Sequence, residues 1–245
     1  MESDLPIPSR ALAVGAHPDD VEFGCGATLA KWAANGCEIF HLICTDGSKG
    51  TWDPSTDPAE LVVARRREQR AASVALGGKG EVIFLGWPDG ELESGLPQRL
   101  EVASAIRRIR PEVILGHDPW KRYRLHPDHR NAGFLVTDGI VAARDPLFFP
   151  ELAEAPHRPE TLLLFEADEP DHLEDVSGFV DAKLTALLQH RTQLRSTMGV
   201  FQSAISDAEN PEVVEFRRRV IDRLTEQGRD LGLAAAESFK RIDKL

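Results

Sequence analysis

The chain has 245 residues, of which 42% are hydrophobic and 28% charged, enough for a sizeable core in one α/β domain. Its 29 Lys and Arg against 40 Asp and Glu leave a formal net charge of −11, which excludes a general attraction to nucleic acid or anionic membranes and favours small-molecule partners. No apolar run reaches the roughly 20 residues of a membrane span, and the first residues lack the basic and apolar regions of a secretory signal.

In chain order, Ala11–Ala16 reads as a buried strand stopped abruptly by His17, Pro18, Asp19 and Asp20. A helix is expected over Gly24–Asn35, ended by Gly36, and a second strand over Glu38–Cys44. The Gly-rich loop Thr45–Trp52 leads to a helix over Ala59–Leu76, in which four arginines line up with Glu60 and Glu68. A strand over Glu81–Leu85, a loop at Gly86–Gly90 and a helix over Leu96–Arg110 follow, then a strand over Val113–Leu115. The polar loop from Gly116 contains His126-Pro127-Asp128-His129, and His129–Ala143 is again helical. Strand and helix alternate four times, which predicts a mostly parallel sheet with right-handed crossovers. Beyond a Pro-rich stretch, 144–160, come a strand over Thr161–Ala167, a short one near His172–Val176, and helices over Val180–Leu194 and Pro211–Arg229. The tail near Glu237–Ile242 is expected to dock as a strand. No repeat or linker divides residues 1–245, so one domain is expected. Cys25, Cys37 and Cys44 are odd in number and form no C-x-x-C pair, which fits reduced, buried thiols and a cytoplasmic setting.

His17, Asp19 and Asp20 project from the carboxyl end of the first strand, where open α/β sheets place ligands. One imidazole and two carboxylates there favour a divalent cation, although the two aspartates could instead cap the following helix. Catalytic zinc commonly takes three protein ligands and leaves one position open. His17 and Asp20 could supply two, and Asp19, pointing elsewhere, would be free as a general base. The third must come from another loop on the same edge, and His126 and His129 sit together in one.

The pair Ala16-His17-Pro18-Asp19-Asp20 and His126-Pro127-Asp128-His129 resembles the PIG-L/LmbE family of metal-dependent N-acetylglucosamine deacetylases. Arg65-x-x-Glu68 with Leu76-Gly77, the stretch Phe84-Leu85-Gly86-x-Pro88-Asp89-Gly90, Lys183 and His190-x-x-Gln193 support it, and Glu237-x-Phe239 is a weaker match. The resemblance implies a Rossmann-like three-layer α/β fold with a mostly parallel sheet and a C-terminal helical elaboration. It implies a mononuclear zinc, or another divalent metal such as Fe2+ in the cell, held by His17, Asp20 and His129. Asp19 would be the general base, a protonated His126 would stabilise the oxyanion, and Asp128 would orient His126. One carboxylate and two neutral imidazoles leave about one unit of positive charge on the ion, enough to bring the pKa of its water toward about 7. A second ligating carboxylate would quench much of that, which also argues for Asp19 as a base outside the ligand set.

Substrate contacts are expected from Arg65, as a grip on sugar hydroxyls or an attached anion, and from Asp89, as an acceptor for hydroxyls. Arg65 could alternatively form a structural salt bridge to Glu68 or elsewhere, and Asp89 could simply form a turn. Trp52 and Trp120 suit stacking on sugar faces or anchoring their loops, and His190 suits support rather than ligation. His41, His117, His157 and His172 read as structural or surface residues. Specificity is expected in 47–58, 86–95, 117–125 and 144–160. The expected partner is an acetylated amino sugar, with a thiol conjugate or another N-acylated sugar as alternatives and a homo-oligomer compatible with the charged C-terminal helix. A dinucleotide-dependent oxidoreductase is disfavoured because the first strand–helix turn lacks Gly-x-Gly-x-x-Gly. A two-metal phosphoesterase would need more ligands and a bridging carboxylate. A non-catalytic sugar-binding protein would not need to keep Asp19 and His126.

Overall fold

In the computed structural model, which describes residues 2–79, 81–201 and 210–245, the apolar runs assemble into one eight-stranded sheet. β2 (Arg10–Gly15) is central and pairs in parallel with β3 (Glu38–Thr45) on one side and β5 (Val113–His117) on the other. β4 (Val82–Trp87) continues the first flank and β6 (Thr161–Phe165) the second, both in parallel. β8 (Ala236–Asp243) inserts antiparallel between β6 and β7 (His172–Asp175), and the short β1 (Glu2–Ser3), unforeseen in the sequence, pairs with β7. The chain winds outward from β2 to β4 and then returns across β2 to β5. That reversal opens a crevice at the carboxyl ends of β2 and β5.

Both sheet faces are covered, which is why the strands read as continuous apolar runs. Leu12, Val14, Leu42, Ile114 and Leu164 pack against α3 (Leu96–Ile109) and α4 (Pro127–Arg144). Their neighbours Ala11, Ala13, Ile43, Leu115 and Leu163 point the other way, onto α1 (Asp20–Ala34), α2 (Pro58–Ala75) and α5 (Val180–Leu187). The three-layer, mostly parallel architecture is as expected. α6 (Pro211–Gly228), with Asn210 accepting from the Glu212 N–H at 2.9 Å, lies beyond them and buries Val213, Phe216 and Leu224. Among the described residues no helix is long and apolar enough to cross a membrane.

Two helices differ from expectation. α1 begins at Asp20 rather than Gly24, and Cys25 (φ −148°, ψ 20°) breaks it internally. At the break Gly24 lies against the Phe165 ring, whose atoms would stand 2.6–2.9 Å from a Cβ, so a side chain is excluded. The amides freed by the break, Ala27 and Thr28, donate to the Glu237 carboxylate at 3.1 and 2.7 Å. Lys183 Nζ joins Glu237 at 2.5 Å and the Phe23 carbonyl at 2.8 Å. α5 stops at Leu187 instead of Leu194, giving way to a 3-10 turn (Arg191–Gln193) and a π turn (Leu194–Met198). The change of winding lets His190 reach Glu22 at 3.2 Å and Gln193 donate to the Gly50 carbonyl at 3.0 Å.

Candidate metal and catalytic centre

Five parallel strands deliver polar side chains to one edge. His17, Asp19 and Asp20 follow β2, Lys49 and Gly50 follow β3, and Asp89 follows β4. His117 ends β5, with His126 and His129 beyond it, and Glu166 follows β6. They line a cavity of about 380 Å3.

Within it the side chains of His17, Asp20 and His129 converge. His17 Nδ1 is 3.2 Å from His129 Nε2 and 3.4 Å from Asp20 Oδ2, and His129 Nε2 is 3.3 Å from Asp20 Oδ1. Separations of 3.2–3.4 Å match those between ligands that share one zinc ion at bonds of about 2.0–2.1 Å, with a different Asp20 oxygen facing each histidine. The other nitrogen of His17, Nε2, lies 3.1 Å from Asp128 Oδ2, so its proton is held there and the Nδ1 lone pair is turned inward. His129 fits with one change. Its Nδ1 now lies 3.1 Å from Arg124 Nη1; ligation through Nε2 puts the proton on Nδ1 and leaves Arg124 to Glu166, already 2.7 Å away. Overlapping donor groups, His17/His126/His129, Asp20/His117/His129 and His17/Asp89/Asp128, show how concentrated the potential ligands are. Burial opposes charge on both His17 and Asp20, but hydrogen bonds to Asp128, Asp20 and Asp89 raise the pKa of His17 well above its ordinary value. The charges of His129 and His117 hold Asp20 well below its own.

Asp19 stands apart from this trio in function. It adopts φ +106° at the mouth of α1, and its side chain makes no capping bond. The capping alternative therefore does not hold for Asp19, while Asp20 Oδ2 accepts from the His17 N–H at 2.7 Å. The turn is braced from α2: Gln69 Oε1 accepts from the Asp19 N–H at 3.0 Å, and Arg65 Nη2 donates to the Pro18 carbonyl at 2.6 Å. Gln69 also donates to Glu22, the buried carboxylate that His190 approaches. Burial raises the pKa of Asp19 to about 6 against the opposing charge of Arg65, 3.8 Å distant.

Several expected roles take a different form. Asp128 was expected to orient His126, but its carboxylate accepts from the Gly90 and Leu92 amides at 2.6 and 3.2 Å and faces His17. Its link to His126 is the backbone: the Asp128 N–H donates to His126 Nδ1 at 3.3 Å, where His126 caps α4. The proton of a neutral His126 therefore sits on Nε2. Burial and the charges of His17 and His129 lower the pKa of this ring, so the expected protonated His126 is disfavoured. Arg65 does not pair with Glu68, which accepts from Thr192; it lines the cavity, lies 3.8 Å from Asp19 and, besides Pro18, donates to the Gly47 carbonyl at 2.9 Å. Asp89 lines the cavity, accepting from the Lys49 N–H at 3.0 Å and approaching His17 at 3.4 Å. Trp120 is exposed and meets Phe134 edge to face, and Trp52 is 66% exposed. The stretch 144–160 is remote from the site: α4 starts at the site and ends at the opposite edge, where β6 must begin. There Arg107 donates to the Ala142, Ala143, Asp145 and Phe148 carbonyls.

Three residues of the centre were not anticipated. His117, read as structural, brings Nε2 to 3.2 Å from Asp20 Oδ2. Glu166 lies 3.7 Å from His117 Nδ1 and pairs with Arg124. The carboxyl end of a parallel strand was the available signal for both, since His117 is the last residue of β5 and Glu166 the first after β6. Arg124 carried none.

Residues 12–140 match the family model PIG-L, described as GlcNAc-PI de-N-acetylase. The diacetylchitobiose deacetylase of Thermococcus kodakarensis is 34% identical over 187 residues, 75% of this chain and 70% of that one. A 1D-myo-inositol 2-acetamido-2-deoxy-alpha-D-glucopyranoside deacetylase from Geodermatophilus obscurus is 32% identical over 60% of this chain and 58% of its own length. The structure of N,N'-diacetylchitobiose deacetylase from Pyrococcus horikoshii, in complex with its inhibitor MPG, superposes with a TM-score of 0.84 at 26% identity, covering 96% of this chain and 84% of that one. The chain belongs to the PIG-L family of deacetylases, hydrolases of amide bonds.

Proposed function

We propose that the chain hydrolyses the N-acetyl amide of an N-acetylglucosamine-type substrate, with His17, Asp20 and His129 holding a zinc ion and Asp19 as general base. The observation that carries this reading is the Asp19 carboxylate, buried and uncapped beside the three converging donors in one cavity of a de-N-acetylase relative. The acetylated amino sugars in the names of its relatives give the substrate class.

A zinc ion held by His17, Asp20 and His129 would supply a Lewis acid able to acidify water and polarise the acetyl carbonyl. Asp19 accepts a proton from the attacking water as the new oxygen–carbon bond forms. His126 donates through Nε2 to the oxyanion, in keeping with the Asp128 amide at its Nδ1. As the carbon–nitrogen bond breaks, Asp19 returns its proton to the departing amine, leaving acetate and the free amino sugar. Asp128 keeps the His17 proton on Nε2, and Arg65 and Gln69 hold the Asp19 turn in place.

The test is release of free amine from a panel of N-acetylglucosamine conjugates by zinc-loaded protein, with metal counted per chain. Turnover with nearly one metal is the expected result. No turnover of any N-acetyl sugar by metal-loaded protein overturns the substrate class. Nearly two metals per chain with phosphoesterase activity would favour the two-metal reading that the overlapping donor groups also accommodate. Asp19→Ala should keep its metal and lose most turnover; loss of metal instead would make Asp19 a ligand.

A further inference from the structure

The catalytic cavity continues past the donor cluster. A second cavity of about 550 Å3 adjoins it and shares Phe23, Glu166 and Thr197 with it. Its walls come from the break in α1, which lies within the 12–140 family match, and from the π turn and α6, which lie beyond it.

The two sides of this space differ in chemistry. Phe23, Met198, Phe216, Val220 and Leu224 give it an apolar floor, and Trp52 stands at its edge. Arg195, Arg219 and Arg223 line it as well. The acidic groups in its walls are already matched, Glu237 by Lys183 and Glu166 by Arg124. Among the described residues, no carboxylate lies within salt-bridge distance of the three arginines; Asp53 and Glu215 sense Arg195 and Arg219 only from farther away. Arg219 gives one N–H to the Met198 carbonyl at 2.7 Å, and Arg195 lies 5.7 Å from the centre of the Phe201 ring. Arg219 and Arg223 are four residues apart on α6, a spacing at which like charges destabilise a helix. Three guanidiniums around one cavity with no ion pair among the described residues, in a chain of net charge −11, make a local positive field that an anion would relieve.

We propose that this cavity is a subsite for the part of the substrate beyond the acetylated sugar, and that this part carries an anion, a carboxylate or a phosphate, on an apolar spacer. The sugar sits at the donor cluster, the spacer covers the apolar floor, and Arg195, Arg219 and Arg223 bind the charge. The inference rests on the deacetylase reading of the neighbouring centre and adds the class of conjugate it serves.

Three aryl N-acetylglucosaminides test it: phenyl, para-carboxyphenyl and para-phosphophenyl. The zinc-loaded protein should turn over one of the anionic pair about tenfold more efficiently than the phenyl glycoside, with the gain in KM and reduced by added salt. Which of the two gains identifies the carboxylate or the phosphate as the natural anion. Arg219→Gln with Arg223→Gln should bring the anionic substrate's KM to that of the phenyl glycoside. Arg223→Gln alone, at a residue with no ion pair among the described residues, should do so in part. Equal efficiency for all three substrates, or an anionic preference that survives both substitutions, overturns the subsite. Failure of the deacetylase reading looks different, since no glycoside would then release amine. In that case calorimetry with para-carboxyphenyl and para-phosphophenyl glucosaminide decides the subsite, which requires binding that weakens in the double variant; no binding overturns it.

Discussion

Helix α1 departs from regular geometry at Asp19 and again at Cys25, and the two departures are stabilised by different parts of the chain. At Asp19 the positive φ of a non-glycine residue costs on the order of 1–3 kcal/mol. Side chains of α2 offset it, Arg65 through the Pro18 carbonyl and Gln69 through the Asp19 amide. At Cys25 the cost is freed amides inside the protein, and the Glu237 carboxylate satisfies two of them while neutralising Lys183. A carboxylate at a helix amino end also meets the positive end of the helix dipole. The Asp19 interruption leaves its own carboxylate uncapped and turned to the cavity, whereas the Cys25 interruption exposes nothing reactive. The first faces the cavity, where the proposed chemistry would use it, and the second is architectural.

Substitutions can separate those roles. Asp19→Asn, which keeps shape and tolerates the left-handed backbone, should lower kcat by about 10²–10⁴-fold with unchanged metal content and melting temperature; a matching loss of stability would mean that Asp19 is architectural too. Glu237→Ala leaves Lys183 buried without its partner and should destabilise the protein by about 3–5 kcal/mol, a fall of roughly 6–20 °C in Tm. Pairing Lys183→Met with Glu237→Gln should recover most of it, and calorimetry on both variants is the check. Gln69→Leu removes the acceptor of the Asp19 amide and should cost about 1–3 kcal/mol while lowering kcat more than it changes KM. An unaltered kcat there would detach Gln69 from the catalytic turn. The smallest effect on stability is expected from Asp19→Gly, which relieves the positive φ and should raise stability by up to about 1 kcal/mol, although turnover should be lost as in Asp19→Asn.

Legibility followed locality. His17, Asp19 and Asp20 could be read because a single short stretch holds a strand end and its turn. His126 and His129 could be read because one loop holds both. His117 was undervalued because its meaning depends on β5 lying beside β2, a through-space fact that spacing along the chain does not carry. Glu166 depends likewise on β6 beside β5. Proline content in 144–160 correctly marked irregular structure, but not the edge of the sheet on which it falls. That follows from the crossover, since α4 must return to the amino edge before β6 begins. Gly24 marked a local event that was taken for a helix start and is a break, because the Phe165 ring it accommodates arrives 141 positions later.

The tie between Glu237 and the Ala27 and Thr28 amides spans some 210 positions of sequence. A ribosome therefore releases His17, Asp20 and His129, and the whole stretch matched by the family model, well before it makes the group that completes the helix behind them. The early chain must wait with part of α1 unfinished, and contacts of such separation are slow to form. Stalling synthesis before residue 236 should thus yield a nascent chain that holds His17, Asp20 and His129 yet remains open to protease at the Cys25 break.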